Sequence, residues 1–352
     1  MTTSKTDLKN FNRAQLQEWI TGRGHSAYRA KQIFAWLYRP GIKSFDQMTD
    51  LSKQFREELK EISFISSLPI TVREISQDGT IKYGLQLADN MMIESVLIPE
   101  EERNTLCISS QVGCAMACAF CLTGTMGFKR NLTPAEIVGQ VCAVQADLAE
   151  RQAGRVTNIV FMGMGEPLAN FENLITALEI IMDEIGLDFS NRRTTVSTCG
   201  LAPKIVELGQ RISVNLAISL HGADDQVRSR IMPVNSTYPI QEVLEACRDF
   251  PLPPRKRIMF EYILLAGIND SDADARTLAK LLRGLPCKIN LLPCNEAPEI
   301  PFHQPSRNRV HAFQEILRQA GYTVLIRTSR GDDISAACGQ LANKIKKAAA
   351  TS

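Results

Sequence analysis

Several features that would sort this chain quickly are missing from it. No run approaches the ~20 uninterrupted apolar residues of a membrane span, so no membrane partner is expected. The first residues, Met1 to Asp7, hold no apolar stretch of the secretory kind, and a reducing cytoplasm is the expected home. An excess of one charge is also missing. Forty Lys and Arg against 38 Asp and Glu leave +2, so composition alone announces no nucleic-acid partner. Histidine is scarce: His25, His303 and His311 form no recognisable ligand set with the fourth, His221. Cysteine, by contrast, is plentiful, with ten in 352 residues. A chain this long is not a disulfide-stapled scaffold, so thiols that are free or bound to metal are expected. At 44% apolar it can bury a full core, as one large α/β domain with an appendage or as two domains.

Three of the cysteines stand close together in Cys114-Ala-Met-Ala-Cys118-Ala-Phe-Cys121. Three thiolates at this spacing suit a soft metal centre with one position left open. The natural reading is a [4Fe-4S] cluster with one iron free to bind a reactant. A zinc site with a distant fourth ligand, or a cluster that only relays electrons, are the alternatives.

Along the chain, residues 1–61 read as helical, with segments at Ala14–Ile20, Ala27–Tyr38 and Leu51–Leu59. Arg23, Arg29, Lys31, Arg39 and Lys43 form an acid-free basic stretch there, by itself an ordinary solvated face. Residues 62–101 read as a β-rich linker. Strands Ile70–Ile75 and Ile81–Leu87 flank an Asp78-Gly79 turn, and a third, Met91–Ile98, is expected to stop at Pro99. From Thr105, strands and helices alternate to the end of a main domain at 102–345, with a frayed tail at 346–352. That rhythm implies βα units on a parallel sheet, closed, open or doubly wound. In such folds chemistry sits at the C-terminal ends of strands. The cysteine triplet, Gly163-Met-Gly-Glu-Pro167, Ser197, Ser219 to His221 and Asn295 all follow predicted strands, so they are expected to share one rim.

The triplet with Phe120 before its last cysteine resembles the cluster motif of the radical S-adenosylmethionine (radical SAM) superfamily, and Gly163–Pro167 its SAM-amine turn. Longer strings, among them Thr105–Cys114, Gly127–Leu132, Met162–Leu168, Ser219–Gly222, Arg230–Asn235, Gly267–Asp270 and Cys338–Leu341, resemble the ribosomal RNA adenine-C2 methyltransferases. The resemblance runs from about residue 12 to 345. It implies a partial (βα)6 barrel with a small N-terminal helical RNA-binding domain and a β linker. It also implies a cytoplasmic monomer that methylates adenine C2 in the peptidyl-transferase region of 23S rRNA, with a tRNA adenosine next to the anticodon as a second candidate.

Site roles follow from the same resemblance. Cys114, Cys118 and Cys121 would bind the [4Fe-4S] cluster. Gly165, Glu166, Ser197, Ser219, Leu220, His221 and Asn295 would bind SAM, two molecules of which are used per turnover. Cys338 would carry the methyl group as S-methylcysteine, and Cys107 would resolve the protein–RNA adduct by forming a disulfide. Glu94 would accept the C2 proton. The remaining cysteines, Cys142, Cys199, Cys247, Cys287 and Cys294, read as ordinary buried residues. The carrier has a chemical rationale: C2 of adenine is electrophilic and has no lone pair with which to attack the methyl of SAM. An external electron donor such as flavodoxin or ferredoxin is implied. The N-terminal basic patch and Arg255-Lys-Arg257 are candidates to grip phosphates. Adenine-C8 methylation, a different radical SAM reaction, and a non-catalytic iron–sulfur RNA-binding module are the competing readings.

Overall fold

The computed structural model describes residues 5–341. The tail expected at 346–352, and residues 342–345 of the main domain, lie outside the described residues.

Three helices open the chain: α1 (Arg13–Thr21), α2 (Ala27–Leu37) and α3 (Lys53–Ile62). Local chemistry sets their starts. Asn12 and Gln15 form a reciprocal capping box on α1, and the Ser52 hydroxyl accepts the Phe55 N–H of α3. Leu16, Ile20, Ile33, Phe34 and Leu59 bury the inner faces.

Ten strands follow in one sheet, whose spatial order is the sequence order. The first four, β1 (Ile70–Ile75), β2 (Ile81–Gln86), β3 (Met92–Glu100) and β4 (Arg103–Cys107), pair antiparallel. From β4 the sheet turns parallel through β5 (Asn158–Phe161), β6 (Thr194–Thr198), β7 (Asn215–Ser219), β8 (Ile258–Leu264), β9 (Cys287–Pro293) and β10 (Val324–Ile326). Six helical crossovers join the parallel strands. They are α4 (Pro134–Glu150), α5 (Phe171–Met182), α6 (Ala202–Arg211), the pair α7 (Asp225–Ile231) and α8 (Ile240–Asp249), α9 (Asp272–Leu281) and α10 (Arg307–Gln319). The result is an open (βα)6 barrel with a seventh parallel strand. Central β8 is buried along almost its whole length, as a strand covered on both faces should be, whereas edge strand β1 alternates half-buried and exposed residues.

Two expectations change. The stretch at 62–101 is no separate bridge, because β1–β3 extend the barrel sheet itself through β3–β4 pairing. Nor does Pro99 end its strand: β3 runs on to Glu100, with Pro99 opposite Asn104. The β2 ladder stops at Leu97, so Pro99 sits where β3 is paired on one side, and the missing N–H is tolerated there.

The outer strands β1 and β10 do not pair. Side chains close the gap instead. Segment 331–341, beyond β10, folds back onto the β1–β2 hairpin: Gly331 N–H donates to Asp78 at 3.0 Å, and the Ser76 hydroxyl donates to Asp333 at 2.5 Å.

Candidate active site

Cys107 is the last residue of β4, and the chain beyond it is stitched to the loop after β5. Ser110 and Gln111 donate their N–H groups to the Met164 carbonyl, and Gly163 donates to that of Ile108. The Gln111 side chain accepts the Glu166 N–H at 2.9 Å. Gly165 is required at this crossing. Its φ is +98°, and a Cβ there would lie 2.5 Å from that of Gln111.

The two loops form one wall of a cavity of about 180 Å³ at the C-terminal ends of the strands. Cys114, Cys118 and Cys121 face it together. So do Gly165, Glu166, Ser197, Ser219, His221, Asn295 and Cys338, from five further loops or strand ends. Leu220 is not among its lining residues: its side chain is fully buried in the core, and its carbonyl accepts a bond from Arg228. Asn295 Nδ2 donates to the Cys338 carbonyl at 3.0 Å, so it holds the loop of the expected carrier as well as facing the cavity.

Burial sets the electrostatics. It pushes the Cys114 thiol up to about 11 and Cys118 higher still, with neighbouring thiols adding to the shift at Cys118. Such thiols ionise when a metal centre's positive charge enters. Among the described residues, no three His, Cys, Asp or Glu side chains close around a point where a single metal ion would sit. Three thiols facing a shared cavity instead fit a multi-iron cluster, in which each thiolate takes its own iron.

Glu166 is buried, which raises its carboxyl pKa; opposing this, Oε2 accepts the Cys199 N–H at 2.8 Å and Oε1 that of Leu168 at 3.0 Å. The Thr198 and Cys199 side chains also bond to it, and the carboxylate faces the cavity, where it suits a cationic amine. His221 is depressed to about 3 by burial and by the nearby Arg228 charge, so its ring is neutral. Nδ1 accepts the Ile263 N–H at 3.0 Å, which assigns the proton to Nε2. The Phe120 ring packs edge-on against it at 4.8 Å.

Cys338 is accessible, yet its open surface gives onto the cavity, and desolvation followed by the Glu261 charge raises its thiol. Cys107 is buried behind the lining. Desolvation raises its thiol most, and the charge of Cys338 next. Glu94 is buried on β3 and faces a second cavity of about 240 Å³ beside the Cys338 loop.

Some residues of this site escaped the sequence reading. Cys199, expected to be an ordinary core residue, lines the cavity and orients Glu166 through its N–H. Buried Glu261 lines it too, held by Asn290 Nδ2 at 2.9 Å. Arg228 is wholly buried and donates to the carbonyls of Leu220, Cys199 and Tyr238 and to Asn235. Its place between the Ser219–Gly222 and Arg230–Asn235 strings was the available signal. In the other direction, Arg255-Lys-Arg257 immediately precedes β8 and so lies at the opposite end of the barrel from the cavity. Lys256 binds Asn215 at the start of β7 and Arg257 binds Thr323 before β10, so this trio does not flank the site.

Comparison with known proteins agrees with this geometry. Residues 6–65 match the ribosomal RNA large subunit methyltransferase N-terminal domain, and residues 108–279 match the radical SAM superfamily. The dual-specificity RNA methyltransferase RlmN of Desulfotalea psychrophila is 57% identical over 344 residues, 96% of this chain and 95% of that protein. Its counterpart in Geobacter sulfurreducens is 54% identical over 96% and 92%. The crystal structure of a radical SAM methyltransferase from Sphaerobacter thermophilus superposes with a TM-score of 0.89 at 45% identity, covering 96% of this chain and 99% of that one. The chain is therefore an enzyme of the radical SAM superfamily, whose members use a [4Fe-4S] cluster and SAM, and it belongs to the RlmN family of RNA methyltransferases.

Proposed function

We propose that the protein methylates C2 of an adenine in the peptidyl-transferase region of 23S rRNA, with the methyl group carried on Cys338. The adenosine next to the tRNA anticodon is its second substrate, in keeping with relatives named for dual specificity. The observation that carries this reading is the position of Cys338. It stands on the cavity that the cluster cysteines line, with Cys107 buried behind that lining and its thiol raised in part by the charge of Cys338.

Cys114, Cys118 and Cys121 hold the cluster, which together with SAM supplies the one-electron chemistry that an electrophilic carbon requires. Glu166 accepts the amine of SAM, and neutral His221, on the same cavity, offers its Nε2–H. The Cys338 thiolate takes a methyl group by displacement from the SAM sulfonium. That carbon would give a hydrogen atom to the adenosyl group of a second SAM and then bond to adenine C2, tethering the RNA to Cys338, and the odd electron left on the ring would return to the cluster. Glu94 removes the C2 proton. The Cys107 thiolate then attacks the Cys338 sulfur, forming an S–S bond as the sulfur–carbon bond breaks; the departing carbon keeps the electron pair and takes a proton, completing the methyl group on the released RNA. A donor of the flavodoxin or ferredoxin type feeds electrons in.

The deciding experiment reconstitutes the enzyme without oxygen and supplies SAM, reductant and a 23S rRNA fragment, with tRNA in parallel. Nucleosides are then analysed by mass spectrometry against methyladenosine standards. 2-Methyladenosine from both RNAs is expected. 8-Methyladenosine would assign the C8 reaction, and intact SAM would leave only a binding module.

RNA must also be gripped and the target base unstacked. Arg23, Lys31, Arg39 and Lys43 are exposed on the N-terminal helices and their connections. Arg23 and Arg39 stack on Trp19 and Trp36, each at 3.8 Å. Replacing Arg29, Lys31 and Lys43 together with alanine should weaken RNA binding and lower the slope of log K against log salt by about 2. Titrations at several salt concentrations check this, and an unchanged slope would remove the patch from the interface.

A further inference from the structure

We propose that a cavity between the N-terminal helices and the barrel binds a phosphate group of the substrate RNA, with the Lys9 ammonium and the Tyr38 hydroxyl as its inner contacts. This rests on RNA being the substrate and on no particular methylated carbon.

The cavity, of about 600 Å³, shares no lining residue with the one that the cluster cysteines face. Its walls come from the end of α2, the start of β1 and one face of α4. Arg39, Pro40, Gly41 and Lys43 line it and are exposed, so it opens to solvent beside the N-terminal basic stretch. Its volume is ample for a nucleotide.

Two of its polar groups are buried and unpartnered. Lys9, in the turn before α1, is 3% exposed. Among the described residues no hydrogen bond or ion pair holds its ammonium. A lysine is almost never buried this far without a partner. Tyr38, the residue after α2, is 8% exposed, and its hydroxyl has no hydrogen-bond partner either. Burial raises its pKa well above the usual range, so the hydroxyl keeps its proton and can donate. One group is a cation and the other a neutral donor. An anion rich in acceptor oxygens satisfies both, whereas an apolar or cationic ligand satisfies neither.

The charge on the walls agrees. Lys9, Arg39, Lys43 and Arg73 line the cavity against Asp147 and Glu150. Asp147 is already engaged by Arg73, Arg151 and the Tyr83 hydroxyl. The carboxylates whose charge acts on Tyr38, Asp7 and Asp183, are engaged as well. Asp7 accepts the N–H groups of Lys9 and Ser66, and Asp183 pairs with Arg13. Lys9, Arg39 and Lys43 are thus left against exposed Glu150, and the excess is positive. A phosphate is the anion that an RNA substrate brings. Arg39 and Lys43 also belong to the surface assigned above to RNA, so the cavity continues that surface inward.

The test uses the reconstituted full-length enzyme. Binding of a 23S rRNA fragment is measured at several salt concentrations, and thermal unfolding is followed in inorganic phosphate and in chloride at equal ionic strength. Lys9→Met should bind the RNA about tenfold more weakly and lower the slope of log K against log salt by about 1. Tyr38→Phe removes a neutral donor at nearly constant volume. It should weaken binding about threefold with the native slope, and it keeps the test open if Lys9→Met fails to fold. Phosphate should raise the unfolding temperature of the native enzyme by about 2 °C and leave that of Lys9→Met at its chloride value. A native slope in a folded Lys9→Met, native affinity in Tyr38→Phe, or a native enzyme indifferent to phosphate would each overturn the inference. So would protection by phosphate with RNA binding unchanged in both variants, which would make the cavity a site for free phosphate. A native enzyme that binds no RNA would instead remove the parent reading.

Discussion

A Cys338→Ala enzyme is expected to bind its cluster, bind SAM and cleave it, yet to form no methyladenosine above a background on the order of 10³-fold below the native rate. The separation follows from position. Cys338 contributes to the cavity wall, but its loop is held by backbone contacts and by the Asn295 side chain, none of which needs the thiol. The cluster cysteines come from a different segment and Glu166 from another, so the substitution leaves both in place. On the proposed mechanism, what disappears is the atom that holds a methyl group until C2 is ready for it. Cys107→Ala should behave differently, because the methyl still reaches the RNA and release alone is blocked. That protein should run as a covalent RNA conjugate on a denaturing gel, and Cys338→Ala should give none. Methyladenosine formed by Cys338→Ala at a native rate would end the carrier reading.

Much of this was readable beforehand because the parallel strands are short and apolar and their helices carry capping signals. The Thr133–Glu136 box and Pro134, for example, mark the start of α4. Convergence of Cys114, Glu166, Ser197, His221 and Asn295 on one rim follows from βα topology once the strands are placed. Long-range placement was not readable. Local sequence could not say that 62–101 joins the barrel sheet, since that depends on β3 meeting β4. Nor could it say that segment 331–341 would reach back to β2 and find Lys82, a contact between residues 252 positions apart. Arg255-Lys-Arg257 misled for a related reason. A cluster of charge has no address until the strand after it shows which end of the barrel it occupies.

Arg228 shows the same limit most sharply, and its removal should have the largest effect on stability. An arginine in a seven-residue helix reads as solvated, yet this one has no exposed surface. Among the described residues no carboxylate forms an ion pair with it; three backbone oxygens and the Asn235 side chain serve instead. Its Nε donates to Leu220 O at 3.1 Å, Nη2 to Cys199 O at 2.5 Å, and Nη1 to Asn235 Oδ1 at 2.6 Å and to Tyr238 O at 3.2 Å. A planar fork can join four acceptors from separate segments in this way; an ammonium cannot. Arg228→Met would fill similar volume and strand those buried oxygens, at about 1–3 kcal/mol for each that finds no new partner. A loss of about 3 kcal/mol or more is expected in anaerobic urea unfolding, with Arg228→Lys recovering only part. Catalysis should suffer by a second route. Cys199, whose carbonyl Arg228 holds, donates its N–H to Glu166 Oε2. Loosening that residue frees the carboxylate proposed to receive the SAM amine, so SAM affinity should fall even under conditions where the variant is fully folded. An Arg228→Met protein that matched the native chain in both unfolding midpoint and SAM affinity would show that the rim is held by something other than this guanidinium.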